Sequence, residues 1–255
     1  MTSLPTPVIN PQAAHYDRIL SDYDRHYYDR YSTEYRERFI LEPLLAGVDL
    51  GGLKVADLAS GSGHTSLYLA GRYPGIQVTG FDVSAEACAG YRKRVGRPSW
   101  QFDLTQPQAV AEQYDACIIM GGLHHCVANL PVTFANIHRM LKPGGLLLMF
   151  EPNRQYVLQA ARDLWYRADK YFDAANEQAL AHTDLVRLAG AGFQAENLRY
   201  FGGPAFFLVY NSLLFRMPAG LKAGSSRLFL GLEAWHNHLP GRWLHSSFTA
   251  RWRRV

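Results

Sequence analysis

The stretch Val55-Ala56-Asp57-Leu58-Ala59-Ser60-Gly61-Ser62-Gly63-His64 limits the fold more than any other part of the chain. A short apolar run from Leu53 to Leu58 stops at a loop of small residues. A helical pattern with Leu67, Leu69 and Ala70 follows. Strand, glycine turn and helix in that order open a nucleotide-binding α/β unit. Gly61 and Gly63 tolerate backbone angles that other residues avoid, and they let a ligand lie against the main chain. The amides at the helix start favour an anionic group such as a carboxylate. A dinucleotide fingerprint would need glycine where Ala59 and Ser66 stand, so the loop alone leaves the ligand open.

The 255 residues suffice for one large domain or a domain with a cap, and an apolar share of 48% is that of a globular chain. A formal charge of +4 is too small to point to nucleic acid. Arg242, Arg251, Arg253 and Arg254 gather at the end of the chain and read as a solvated terminal strand. Cys88, Cys117 and Cys126 show no metal or disulfide spacing and fit a reducing cytoplasm. Residues 1–10 carry no signal-peptide pattern, and no run is long enough to span a membrane.

Along the chain, Pro5, Pro7 and Pro11 mark a loose tail. From His15 to Leu45, Tyr16, Tyr23, Tyr27, Tyr31 and Tyr35 recur at helical spacing and Phe39 continues the stripe. This is a packing face or an aromatic lid, with Arg36 or a tyrosine hydroxyl reaching the ligand. Strands are expected over 53–58, 77–82, 99–102, 114–120, 146–151 and 193–201, and at the very end around Phe248, Ala250 and Trp252. Helices are expected over 64–72, from Ser84, over 129–141, over 153–170 and over 182–189. Asp82 ends the second strand, 19 residues beyond Gly63, where an α/β site places a carboxylate for ribose hydroxyls; helix capping is the alternative. Asp103 also follows a strand end, as a ligand to the same adenosine-like group or as a turn former.

Five segments lie in a telling order: Asp57-Leu-Ala-Ser-Gly-Ser-Gly63, Phe81-Asp82-Val-Ser, Asp103-Leu104, Leu123-His124-His125 and Leu141-Lys-Pro-Gly-Gly145. Together they resemble a class I S-adenosylmethionine-dependent methyltransferase of the small-molecule type, well over residues 50–152 and loosely elsewhere. The resemblance implies a Rossmann-like α/β fold, with a seven-stranded, mostly parallel sheet, an antiparallel last strand and helical cap insertions. Its parts would be an N-terminal tail and lid (1–45), a donor-binding core (46–152) and a C-terminal part (153–255) in one compact domain. The caps would be inserts at about 153–181 and 202–244. The resemblance also implies S-adenosylmethionine as donor, S-adenosylhomocysteine as product and no metal. Donor contacts are expected from Ala59, Ser60, Gly61, Gly63, Asp82, Val83, Asp103, Leu104, Met120 and Gly121.

Transfer to a hydroxyl requires a general base. His124 and His125 stand just past the fourth strand, and histidine titrates near neutrality. Pocket lining is their other reading. Tyr31, Glu151, Asn153 and Arg154 are the expected acceptor contacts. The favoured function is O-methylation of a partly apolar small molecule in a biosynthetic pathway. N- or C-methylation, a nicotinamide oxidoreductase and a non-catalytic donor-binding protein stay open, and nucleic acid is not an expected partner. The apolar stretch 205–217 reads as a cap, a homodimer face or a membrane-surface contact.

Overall fold

The computed structural model describes residues 29–109, 112–168, 178–212, 215 and 217–255. Tyr16, Tyr23 and Tyr27 of the expected stripe lie outside the described residues, as do the last two positions of the expected 153–170 helix and Leu213, Leu214 and Arg216.

Seven strands form one sheet in the order β3-β2-β1-β4-β5-β7-β6. They are β1 (Lys54–Leu58), β2 (Gln77–Asp82), β3 (Ser99–Gln101), β4 (Tyr114–Met120), β5 (Leu141–Pro152), β6 (Phe193–Phe201) and β7 (Ser247–Arg254). The first five pair in parallel, and β7 runs antiparallel between β5 and β6. The near-continuous apolar runs of β1 and β4 follow from burial on both faces. One face carries Leu58, Cys117, Met149 and Trp252; the other carries Val55, Ile118 and Leu148.

The helices are α1 (Arg30–Arg36), α2 (His64–Arg72), α3 (Ala85–Val95), α4 (Leu130–Met140), α5 (Gln159–Ala168), α6 (His182–Ala189) and α7 (Ala219–His236). Helix α1 continues through a π-helical turn (Glu37–Leu41) into a last α turn (Glu42–Leu44). The widened turn buries three successive residues, Phe39, Ile40 and Leu41. The expected 153–170 helix starts only at Gln159, because Asn153 forms a bridge with Leu180 and its side chain holds the next loop.

The Lys142-Pro-Gly-Gly145 segment is part of β5 and not a turn ahead of it. The register against β4 shifts there, so the four residues bulge from the ladder, with Gly144 at φ 75°. Lys142 Nζ donates to Asp115 Oδ1 at 2.6 Å and pins the bulge.

The insert between β6 and β7 folds inward. Its π-helical turn (Phe206–Tyr210) buries Phe206 and Val209 with Tyr35, Phe39 and Ile40 of the N-terminal segment and with Phe150 at the end of β5. The stretch 205–210 is therefore the core of a cap. Among the described residues, no helix is long and apolar enough to cross a membrane.

Candidate active site

Strand order reverses between β1 and β4, so the loops leaving these neighbours diverge and open a crevice at the carboxyl edge of the sheet. The loop after β1 lines one side. Gly61 and Gly63 sit at φ 51° and 89°, in the left-handed region. A Cβ on Gly63 would lie 2.8 Å from Tyr91 Cδ2 and also meet Val95, so glycine lets α3 pack against the loop. A Cβ on Gly61 would meet nothing within 4 Å, which leaves an open cradle beside the main chain. Ala59 also takes a left-handed conformation, φ 49°, the one described non-glycine residue to do so. Such a backbone costs an L-residue about 1–2 kcal/mol. Ala59 is thus more than a small-for-small exchange. It strains the loop, and its Cβ lies where a side chain on Gly122 would collide, 2.7 Å away.

Asp82 buttresses this loop. Its Oδ2 accepts from the Gly61 amide at 2.8 Å and its Oδ1 from the Ser84 amide at 2.9 Å. A carboxylate oxygen accepts more than one hydrogen bond, so this role is compatible with ribose hydroxyls as further donors. Ser84, not Asp82, caps α3, by accepting from Ala87. Asp103 Oδ1 accepts from the amide and hydroxyl of Thr105 at 2.9 and 2.7 Å, which makes it a turn former in the chain itself. Leu104 is buried, while Val83, Met120 and Gly121 are half-buried along the same edge.

Beneath the loop, buried Asp57 accepts from Ser66 at 2.7 Å, and Tyr91 donates to Ser66 at 2.7 Å. Burial pushes Asp57 up to about 7, against the Ser66 hydrogen bond and the nearby Arg36 guanidinium. Arg36, buried on α1, donates to the Thr65 hydroxyl in the first turn of α2. The N-terminal segment is thereby fixed to the loop.

Past β4 the chain makes a single turn, Leu123–His125, and Glu151 at the end of β5 holds it. Glu151 is fully buried. Its Oε1 accepts from the amides of Gly122 and Leu123 at 3.0 and 2.7 Å. Its Oε2 accepts from the His124 amide at 3.2 Å and lies 2.8 Å from His124 Nδ1. Both oxygens of Glu151, expected as an acceptor contact, are engaged by the turn, which the carboxyl positions. Burial pushes Glu151 up to about 8, opposed by the three amides. Burial, with Arg162 assisting, pushes His124 down to about 3. The 2.8 Å Oε2···Nδ1 contact holds one hydrogen between the two groups. With Glu151 ionised, Nδ1 carries the hydrogen and Nε2 offers a lone pair. With Glu151 protonated, its hydrogen points at Nδ1 and Nε2 is no longer a base.

The His124 ring lies beside the strand end: a Cβ built on Gly121 would be 3.7 Å from its Cε1. His125 packs on it with ring centroids 3.8 Å apart. The histidine pair thus divides into a ring oriented by a carboxylate and a ring that supports it.

Two more of the expected acceptor residues are engaged within the chain. Asn153 is fully buried, its Nδ2 donates to the carbonyls of Arg242 and His245 at 2.8 Å, and its Oδ1 accepts from Gln155. Arg154 is exposed and pairs with Asp184. Both serve the connection after β5. Tyr31 is half-buried against the cap cluster, within reach of the site's roof.

Residues that the sequence left unassigned hold that roof. Glu233 of α7 is fully buried and accepts from Gly203 at 2.9 Å, Ala205 at 3.0 Å and the Tyr35 hydroxyl at 2.7 Å. Lys222 pairs with Asp29 and donates to Ser32 and Ser212 at 2.7 and 3.0 Å. The signal for Glu233 was present: it is the sole acid between Gly202 and Val255.

Residues 56–149 match the family described as methyltransferase domain. Over these residues the chain is similar to methyltransferase domains. Among particular proteins, the chain is 30% identical over 99 residues to a demethylmenaquinone methyltransferase of Chlorobaculum parvum, covering 39% of this chain and 41% of that one. It is 29% identical to a trans-aconitate 2-methyltransferase of Acidovorax ebreus, covering 63% of each. The chain thus spans less than two thirds of the length of these curated relatives. The fold matches that of the N-methyltransferase NodS from Bradyrhizobium japonicum WM9, crystallised with S-adenosylhomocysteine, at TM-score 0.61 and 15% identity, covering 96% of this chain and 99% of that one.

Proposed function

We propose that this chain transfers a methyl group from S-adenosylmethionine to a hydroxyl of a small, partly apolar acceptor, releasing S-adenosylhomocysteine. The observation that carries the reading is the Glu151–His124 pair fixed beside Gly121 at the switch point of the sheet. The donor fits the residues present: the open cradle at Gly61 admits a ligand against the main chain, and Asp82 stands at the next strand end. Residues 59–63 and the start of α2 would take its carboxylate end, Asp82 and Val83 its ribose, Asp103 and Leu104 its base, and Met120 and Gly121 the reacting end. When bound, the donor supplies a methyl already activated by its sulfonium. The chain contributes alignment and proton removal. His124 Nε2 accepts the hydroxyl proton as the oxygen–methyl bond forms, and Glu151 stabilises the imidazolium that results. The half-buried Tyr31, Phe207 and Tyr210 suit an acceptor with an apolar body. The buried, unbridged cysteines support a cytoplasmic setting.

The test is transfer of isotope-labelled methyl to a panel of phenols and amines. O-methyl products are expected, and His124→Ala should lower turnover by about 10²–10⁴ while donor binding stays intact. N-methyl products alone, or full turnover by the variant, would contradict the reading.

A further inference from the structure

Helix α7 is inverted relative to an ordinary surface helix. Lys222, Ser226, Leu230 and Glu233 face inward, with exposures of 4%, 0%, 3% and 0%. Leu221, Leu228, Leu232 and Trp235 face outward, with exposures of 61%, 65%, 41% and 64%. The outward positions recur at helical spacing and form one stripe. Gly220, Gly224 and Gly231 lie among them with open space where a side chain would stand. A solvent-facing helix shows the reverse pattern, so a continuous apolar stripe of this kind marks an interaction surface. Beyond the helix, Trp243 and Leu244 are exposed too, and the Arg242 guanidinium lies 5.2 Å from the Trp243 ring centre at the rim of a shallow cleft.

Charge selects the partner. From Gly202 to Val255 the sequence has seven lysines and arginines and one acid, Glu233, which is buried. Of these cations Lys222 is buried against Asp29 and Arg253 pairs with Glu196, which leaves the stripe flanked by exposed Arg227 on the helix itself and half-buried Arg242 in the loop after it, with no exposed acidic side chain among the described residues from Gly202 onward. A second copy docking through the same face would bring like charges together. A surface of anionic lipid answers both features: leucine and tryptophan enter the headgroup boundary while arginines meet phosphates.

We propose that α7 and the Arg242–Leu244 loop form a docking surface for anionic lipid bilayers, with the helix lying on the membrane and not across it. The test is vesicle flotation of the full chain. It should float with phosphatidylcholine–phosphatidylglycerol vesicles and not with phosphatidylcholine alone, and added salt should release it. Leu228→Glu with Leu232→Glu should abolish flotation while calorimetry still shows S-adenosylhomocysteine binding. Should that double variant lose its fold, Arg227→Gln decides, because its exposed side chain is expected to account for about a fivefold loss of binding to the anionic vesicles. Absence of flotation with either vesicle overturns the proposal. So does flotation that is indifferent to Arg227→Gln, or a self-associating species that the leucine variant dissolves without any change in flotation.

Discussion

At the residue scale, the chemistry turns on which nitrogen of His124 carries the hydrogen. Glu151→Gln keeps an acceptor for the amides of Gly122 and Leu123 but turns its NH2 toward Nδ1 and the His124 amide, forcing the hydrogen onto Nε2. Turnover should fall by about 10²–10⁴, with donor affinity kept. In the native chain the rate should rise with pH as Glu151 loses its proton at about 8, and the variant should lack that limb. A pH–rate profile of both proteins checks this; an unchanged acid limb in the variant would remove Glu151 from the proton path. The same carboxyl bears on stability. Its folded pKa of about 8 lies above the ordinary 4.5, so its protonated form favours the fold. That contribution is full below about pH 4.5 and is lost as pH rises through about 8. Ala59→Gly should stabilise the chain by about 1 kcal/mol, by removing the left-handed strain of a Cβ. Denaturant unfolding checks it, and a loss of stability would show that the Ala59 methyl packs usefully against Gly122.

At the scale of elements, the β1 loop, β2 and β4 were legible because burial on both faces forces apolar runs that end at glycine or an acid. The Lys142-Pro-Gly-Gly145 bulge was not, since proline and glycine mark a turn and a bulge alike until the partner strand is known. Glu151 was only partly legible for a related reason. A carboxylate at a strand end signals a polar task, but only the turn after β4 shows that three amides and an imidazole already take it. Glu233 has the same character, one buried acid collecting the amides that start the cap. Glu233→Ala would leave the Gly203 and Ala205 amides and the Tyr35 hydroxyl buried without a partner, each costing about 1–3 kcal/mol. Hydrogen exchange should then speed up across residues 203–210 while the strands stay protected. Uniform loss of protection would mean that the cap and sheet unfold as one unit.

At the scale of the whole molecule, the sheet and the cap meet at one edge. The sheet order puts the switch point between β1 and β4, and the N-terminal helix and the insert close over it through Arg36–Thr65, Tyr35–Glu233 and Lys222–Asp29. The segments at 57–63, 81–84 and 103–104, where the donor contacts are proposed, were legible because main-chain geometry dictates their glycines and acids. The cap over this edge, where the acceptor is proposed to sit, was not, because it is built by side chains brought together from residues far apart in sequence. This edge is proposed to bind S-adenosylmethionine through the β1 loop and Asp82, and calorimetry with S-adenosylhomocysteine decides it. The native chain should bind at a single site, and Asp82→Ala should weaken binding by about tenfold or more, the loss expected when hydrogen bonds to a charged group are removed. No binding by the native chain, or equal affinity in the variant, would contradict it.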